Sequence, residues 1–238
     1  MTVNHFAASV CRRFATASAL DDVKANRLGW IAVVGDSERK AISFLMGVVI
    51  IISRSFKTTG YSERPGMPRI FFDTEFTDLV VDPQLISIGL VSEDGTREFY
   101  AELSDTWQPA AVGNFARAAV LPQLECRDDV RLTMAELRVR LRQWIKAFEQ
   151  PVQLATDSLS WDWPWIHEIF DDHALWPPNL DGKPLLLTTD HLNDYGKFIR
   201  AVENAFAGGL RRHHALDDAK ANRLGWLAAG GDIESKAP

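Results

Sequence analysis

Between residues 69 and 103, three stretches of strand-forming residues follow one another on short loops, ahead of any helical periodicity; no other feature constrains the fold as much. Arg69-Ile-Phe-Phe72 is short and apolar and runs into Asp73. Leu85-Ile-Ser-Ile-Gly-Leu-Val91 leads to the turn Glu93-Asp-Gly95, and residues 97–103 alternate in polarity. Such a run predicts an antiparallel meander. Helical spacing then begins: residues 133–148 place Leu137, Leu141, Trp144, Ile145 and Phe148 on one face, and Thr133 with Glu136 has the form of a capping box. From there strands and helices alternate. A strand is predicted over 152–155, a short helix over 163–170 and a strand over 185–187. A helix over 192–206 is broken by Gly208-Gly209, and a last helix covers 215–229. The expectation is an α/β domain over residues 67–238, with a mixed five-stranded sheet and flanking helices.

Residues 1–66 read differently. Ala19-Leu-Asp-Asp-Val-Lys-Ala-Asn-Arg-Leu-Gly-Trp30 repeats Ala215-Leu-Asp-Asp-Ala-Lys-Ala-Asn-Arg-Leu-Gly-Trp226 at all but one position. Two copies 196 residues apart exclude a solenoid, which stacks adjacent repeats. The copy reads as a fragment of a related C-terminus set ahead of a complete domain, with 53–67 as polar connector. We therefore expect residues 1–66 to be a fused remnant or a gene-calling extension, with Met67 as an original start. The alternative is a swapped or regulatory helix.

The nine-residue apolar run from Phe44 to Ile52 is too short to span a bilayer, which takes about 20 residues, and reads as a buried strand. The N-terminus has no signal-peptide pattern. Cys11 and Cys126 supply neither a disulfide framework nor metal-ligand spacing, so a reducing, cytoplasmic compartment is expected. The net charge of −6 is unevenly spread. Residues 1–66 hold nine Lys/Arg against five Asp/Glu, and residues 67–238 hold seventeen against twenty-seven. An acidic body argues against a protein that coats nucleic acid by neutralising phosphates with Lys and Arg. It leaves room for an enzyme whose carboxylates hold divalent cations, because the cations then carry the positive charge.

The carboxylates bear this out as a pattern. Asp73 and Glu75 form Asp-x-Glu on the first strand, and residues two apart on a strand share a face. Asp162 follows the fourth strand, and His213 and Asp218 form His-x-x-x-x-Asp running into the last helix. Each has a bland reading. Asp-x-Glu is a common solvated strand end, Asp162 would cap a helix starting at Trp163, Asp217 or Asp218 would cap the last one, and His213 and His214 behind Arg211-Arg212 would form an exposed basic turn. In this order and on these elements they suit two-cation phosphoryl chemistry. Hard cations take oxygen ligands, and a His titrating near neutrality can accept the proton of an attacking water.

With these motifs the chain resembles the DEDDh 3′–5′ exonucleases, which include oligoribonuclease, ribonuclease T and proofreading subunits. Within them it is most similar to the short bacterial and phage 3′–5′ exoribonucleases. The matching segments are Phe71-Phe-Asp73-Thr-Glu75-Phe-Thr-Asp-Leu79, Thr156-Asp-Ser-Leu-Ser-Trp-Asp162 and His213-His-Ala-Leu-Asp-Asp218-Ala, and the resemblance covers essentially all of 67–238. It implies a ribonuclease-H-like sheet and two Mg²⁺ or Mn²⁺ ions held by Asp73, Glu75, Asp162 and Asp218, with His213 as general base. Asp157 offers a second carboxylate in the middle motif; Asp162 is preferred because an aromatic residue precedes it, as is common in the family. The N-terminal copy keeps Asp22 opposite Asp218 but has Ala17 where His213 would fall, so it should not form a second site.

The resemblance also implies a single-stranded nucleic-acid substrate, RNA in preference to DNA, and a homodimer, and it points to Phe76 and Leu79 as base-stacking residues. Trp161, Trp163 and Trp165 crowd the middle motif, as base platforms (Trp161 foremost) or as core. Arg138, Arg140, Arg142 and Lys146 would guide a phosphate backbone or simply form a solvated face. A single-stranded DNA exonuclease and a catalytically dead binding module stay open as alternatives.

Overall fold

The computed structural model describes residues 67–80, 82–171, 175–187 and 192–230. The readings of the extension, its apolar run and Cys11 lie outside the described residues. The sheet contains β1 (Arg69–Phe76), β2 (Leu85–Ser92), β3 (Glu98–Leu103), β4 (Arg131–Leu132), β5 (Gln153–Thr156) and β6 (Leu185–Leu186). The helices are α1 (Asn114–Ala119), α2 (Met134–Lys146), α3 (Leu159–Ile169), α4 (Tyr195–Ala207) and α5 (Ala215–Ala228).

The sheet order is β4-β3-β2-β1-β5-β6, with β1, β2 and β3 antiparallel and the other pairs parallel. This is the ribonuclease-H-like arrangement expected, with a correction: six strands replace the predicted five. The added β4 is two residues long, too short for any alternation to register.

The two faces of β1 carry two cores. Ile70 and Phe72 face α2 and α3, packing with Leu137, Leu141, Ile145, Ile166 and Ile169. Phe71 faces α4 and α5, packing with Phe198, Ala219 and Trp226. α2 starts at the capping box read from sequence, Thr133 Oγ1 accepting from Glu136 N–H and the Glu136 carboxylate accepting from Thr133 N–H. α3 starts four residues earlier than predicted. Pro164 lies inside the helix, and burial of Trp165, Ile166 and Ile169 offsets its missing hydrogen bond. β1 continues past Asp73 to Phe76, so Asp73 and Glu75 sit within the strand, with a register shift only after Glu75.

α5 is fastened down along its length. Trp226 Nε1 donates to Glu93 Oε1 at 3.1 Å and Arg223 Nε to the Glu93 carbonyl at 2.7 Å, so the β2–β3 turn grips the helix C-terminal half. At the other end its first turn presses on Gly89 of β2, the residue opposite Asp73 in the ladder. No helix among the described residues is long and apolar enough to cross a membrane.

Candidate active site

Two groups of ligand atoms meet at the end of β1. Glu75, His213 and Asp218 form one and Asp73, Asp157 and Asp162 the other, and within each the donor atoms lie within 4.8 Å of one another. The strand period puts Asp73 and Glu75 on the face that α5 covers, and α5 carries Asp218 in its first turn. Asp162 arrives from α3 on the opposite face. It is buried, and the hydroxyls of Thr74 and Thr156 donate to its Oδ1 and Oδ2. Thr74 lies between Asp73 and Glu75, so one strand segment supplies two carboxylates to one face and a hydroxyl that orients a third from the other. Asp157 stands at the solvent-facing mouth, where buried Asn222 of α5 donates to its Oδ1 at 2.9 Å.

All five residues read as catalytic from the sequence are therefore brought together, and Asp157 joins them. Asn222, Thr74 and Thr156 escape a sequence reading because nothing in their local pattern shows that they touch carboxylates. Several bland readings are corrected. The N-cap of α3 is Ser158, with Asp162 a full turn inside the helix. The N-cap of α5 is His214, and Asp217 instead accepts from Arg211. The Arg211–His214 turn is no exposed basic loop, because His214 is 1 % exposed.

The electrostatics follow from placing like charges together away from water. Burial pushes the Asp162 carboxyl up to about 7 even though both threonine hydroxyls favour its ionised form. Burial and then Asp157 push Asp218 up to about 8. Asp73 and Glu75 are raised well above the carboxylate range, burial first and the neighbouring carboxylates after it. Ion pairs of the described residues go elsewhere, for example Arg211 to Asp217 and Lys220 to Glu98. Burial and then Arg212 hold His213 down to about 4, so it is a neutral imidazole, able to accept a proton, across the physiological range. Its backbone φ of 63° is left-handed, an uncommon conformation that recurs at functional turns.

A pH dependence follows for the metal-free protein. Carboxyls that keep their protons when folded but ionise near pH 4 when unfolded add stability that is complete below pH 4 and lost as pH rises through their folded values. His213 and His214, both held down to about 4, work in the opposite direction between about 4 and 6.5, where the unfolded imidazoles take up protons. Above about 6.5 the carboxyls act alone. The melting temperature in EDTA should fall between pH 6.5 and 8.5 by about 5 °C or more. Scanning calorimetry across that range checks this, and a flat or rising profile would contradict the raised carboxyls.

Around the carboxylates lies an aromatic rim. Phe76 and Trp161 stack with ring centroids 5.6 Å apart and planes 17° from parallel, and Leu79 is exposed beside them in sequence. Phe115 of α1 meets His213 edge-on at 5.0 Å, because Gly113 N–H donates to the Thr77 carbonyl and draws α1 to the end of β1. Trp165 is buried and Trp163 packs against the core, so of the three tryptophans only Trp161 joins the rim. The arginines of α2 are fasteners. Arg138 Nε donates to the Ile169 carbonyl at 2.6 Å, Arg142 Nε to that of Leu175 at 2.9 Å, and Arg140 Nη1 to that of Asp129 at 3.4 Å.

No family model matches the chain. Among curated proteins it is similar to the 3′–5′ exoribonucleases of two strains of Mycobacterium tuberculosis, CDC 1551 / Oshkosh and ATCC 25618 / H37Rv, with 35% identity over 96 residues to each. The match takes in 34% of this chain and 56% of each relative, so the chain spans about half the length of the curated relatives it matches. A solved structure of a 3′-exonuclease, from work on 3′-end specific recognition of a histone mRNA stem-loop, aligns over 100% of this chain and 94% of its own. Its TM-score is 0.43 at 13% identity, too slight to carry substrate or mechanism. Over the matched segment, then, the chain is similar in sequence to 3′–5′ exoribonucleases.

Proposed function

We propose that residues 67–238 are a DEDDh-type, divalent-cation-dependent exoribonuclease that shortens single-stranded RNA from its 3′ end and releases nucleoside monophosphates. The observation that carries this reading is the pair of donor groups meeting at one opening, with a neutral imidazole in one of them. The donor set fits hard divalent cations: four carboxylates gathered where burial holds their protons on, which cations would displace, with a fifth at the mouth. Asp73, Glu75, Asp162 and Asp218 would hold two Mg²⁺ or Mn²⁺ ions, with Asp157 at the mouth. When bound, such ions supply positive charge to the scissile phosphate and to the leaving 3′-oxygen. His213 accepts the proton of the water that attacks phosphorus as the P–O3′ bond breaks. Phe76, Trp161 and Leu79 offer apolar surface for the terminal base. The names of the curated relatives support RNA over DNA.

The test is a 5′-labelled single-stranded RNA incubated with Mn²⁺, with EDTA, and with His213→Ala, beside a DNA strand of equal length. A ladder receding from the 3′ end, lost in EDTA and slowed at least about 10²-fold by His213→Ala, is expected. Faster loss of DNA would reverse the substrate reading. No shortening of either strand by folded protein would make the site a dead binding module.

A further inference from the structure

His213 has a left-handed backbone, uncommon though His enters that region more readily than most residues, and the residues on either side of it are tied to a different part of the chain. Before it, the N–H and Nε of Arg211 both donate to Asp217 Oδ2, at 3.0 and 2.7 Å, and Nη2 reaches Glu125 Oε1 at 3.3 Å. After it, buried His214 accepts from Asp217 N–H through Nδ1 at 3.3 Å. That leaves its proton on Nε2, which faces Glu125 Oε1 at 3.5 Å. Glu125 Oε1 thus accepts from one flank of the turn, at Arg211, and lies nearest the other without a hydrogen bond, His214 Nε2 being buried and unpartnered. Glu125 is fixed in turn, because its N–H donates to Glu102 Oε1 of β3 at 2.6 Å and Arg127 Nη2 pairs with its Oε2 at 2.7 Å. No member of this network belongs to the two donor groups, yet it joins the third strand to the turn that presents the imidazole.

We propose that Arg211, Glu125 and Asp217 form a clamp that fixes His213 over the scissile bond, making them positioning residues for proton transfer. This rests on the assignment of His213 as base. Asp217 is bonded to Asp218, but Arg211 and Glu125 themselves touch neither cation nor base-stacking residues, so the kinetic signature of the clamp is read at those two. Arg211→Gln should lower kcat on single-stranded RNA about 10–100-fold, the scale of a misplacement near 1 Å, and leave KM within about threefold. Mn²⁺ affinity of the protein, read by titration calorimetry, should stay within about threefold.

The deciding measurement is a double-mutant cycle. In a His213→Ala background, Arg211→Gln should change kcat less than about twofold, because the group it positions is gone. If the losses multiply, Arg211 acts elsewhere and the clamp is overturned; an unchanged kcat in Arg211→Gln alone overturns it too. A His213→Ala protein as fast as the parent would fail at the earlier step, removing the base and the clamp with it. Glu125→Gln, isosteric and at a partly exposed side chain, repeats the cycle should Arg211→Gln not fold.

Discussion

Asp73→Asn is expected to abolish RNA shortening, by about 10³-fold or more, and at the same time to raise the melting temperature of the EDTA-treated protein at pH 8. Asp73 is the carboxylate on which the others converge. Beyond its burial, Asp162, Asp218, Glu75 and Asp157 each push its proton affinity up. Asn has equal size, still hydrogen-bonds and cannot ionise, so folding at pH 8 no longer has to hold a proton on this buried group beside its neighbouring carboxylates. The expected gain is a rise of about 3 °C or more. Mn²⁺ should stabilise the parent by about 5–10 °C at a hundredfold excess over its dissociation constant, and the variant far less. A variant that melts below the parent in EDTA would show that the cluster is not repulsive. A variant stabilised by Mn²⁺ as strongly as the parent would place the ions away from Asp73.

The opposed effects explain which parts of the site were legible. Carboxylates crowded at one place are a cost to folding, so they persist in sequence as a pattern that propensity and packing do not account for. Asp73 and Glu75 are readable because a strand period of two puts both on one face. His213 and Asp218 are readable because they straddle a helix start. The supporting contacts are hidden by distance along the chain. Asn222 meets Asp157 across 65 residues and Thr74 meets Asp162 across 88, and neither threonine nor asparagine stands out in its own segment. The same holds for Arg211 and Glu125, 86 residues apart. Elements obey a similar rule. The α2 capping box and the β1 and β2 runs are set by local chemistry and read directly, whereas β4 exists only because β3 lies beside it. α3 runs through Pro164 because tertiary burial outweighs a lost hydrogen bond.

Gly89 gives the sharpest case of a residue whose reason is tertiary, and Gly89→Ala is expected to damage fold and chemistry together. In sequence it is one weak position in an apolar strand. In the structure a Cβ there would lie 2.1 Å from Leu216 N, 2.3 Å from Leu216 Cα and 2.4 Å from the Ala215 carbonyl carbon. All three are backbone atoms of the first turn of α5, so no rotamer change relieves the clash and the helix must lift by about 1 Å or more to restore van der Waals contact. That turn carries Asp218, and Gly89 pairs with Asp73 across the ladder, so the lift separates carboxylates that must share one site. We expect a loss of about 3 kcal/mol or more, seen as a fall in melting temperature near 10 °C. In the protein that remains folded, kcat/KM for RNA should fall about 10²-fold. Gly182→Ala is the control, because its Cβ would meet nothing within 4 Å and both properties should hold. An active, fully stable Gly89→Ala protein would mean that α5 does not rest on β2 as described. The alignment of Asp218 with Asp73 and Glu75 would then need another support.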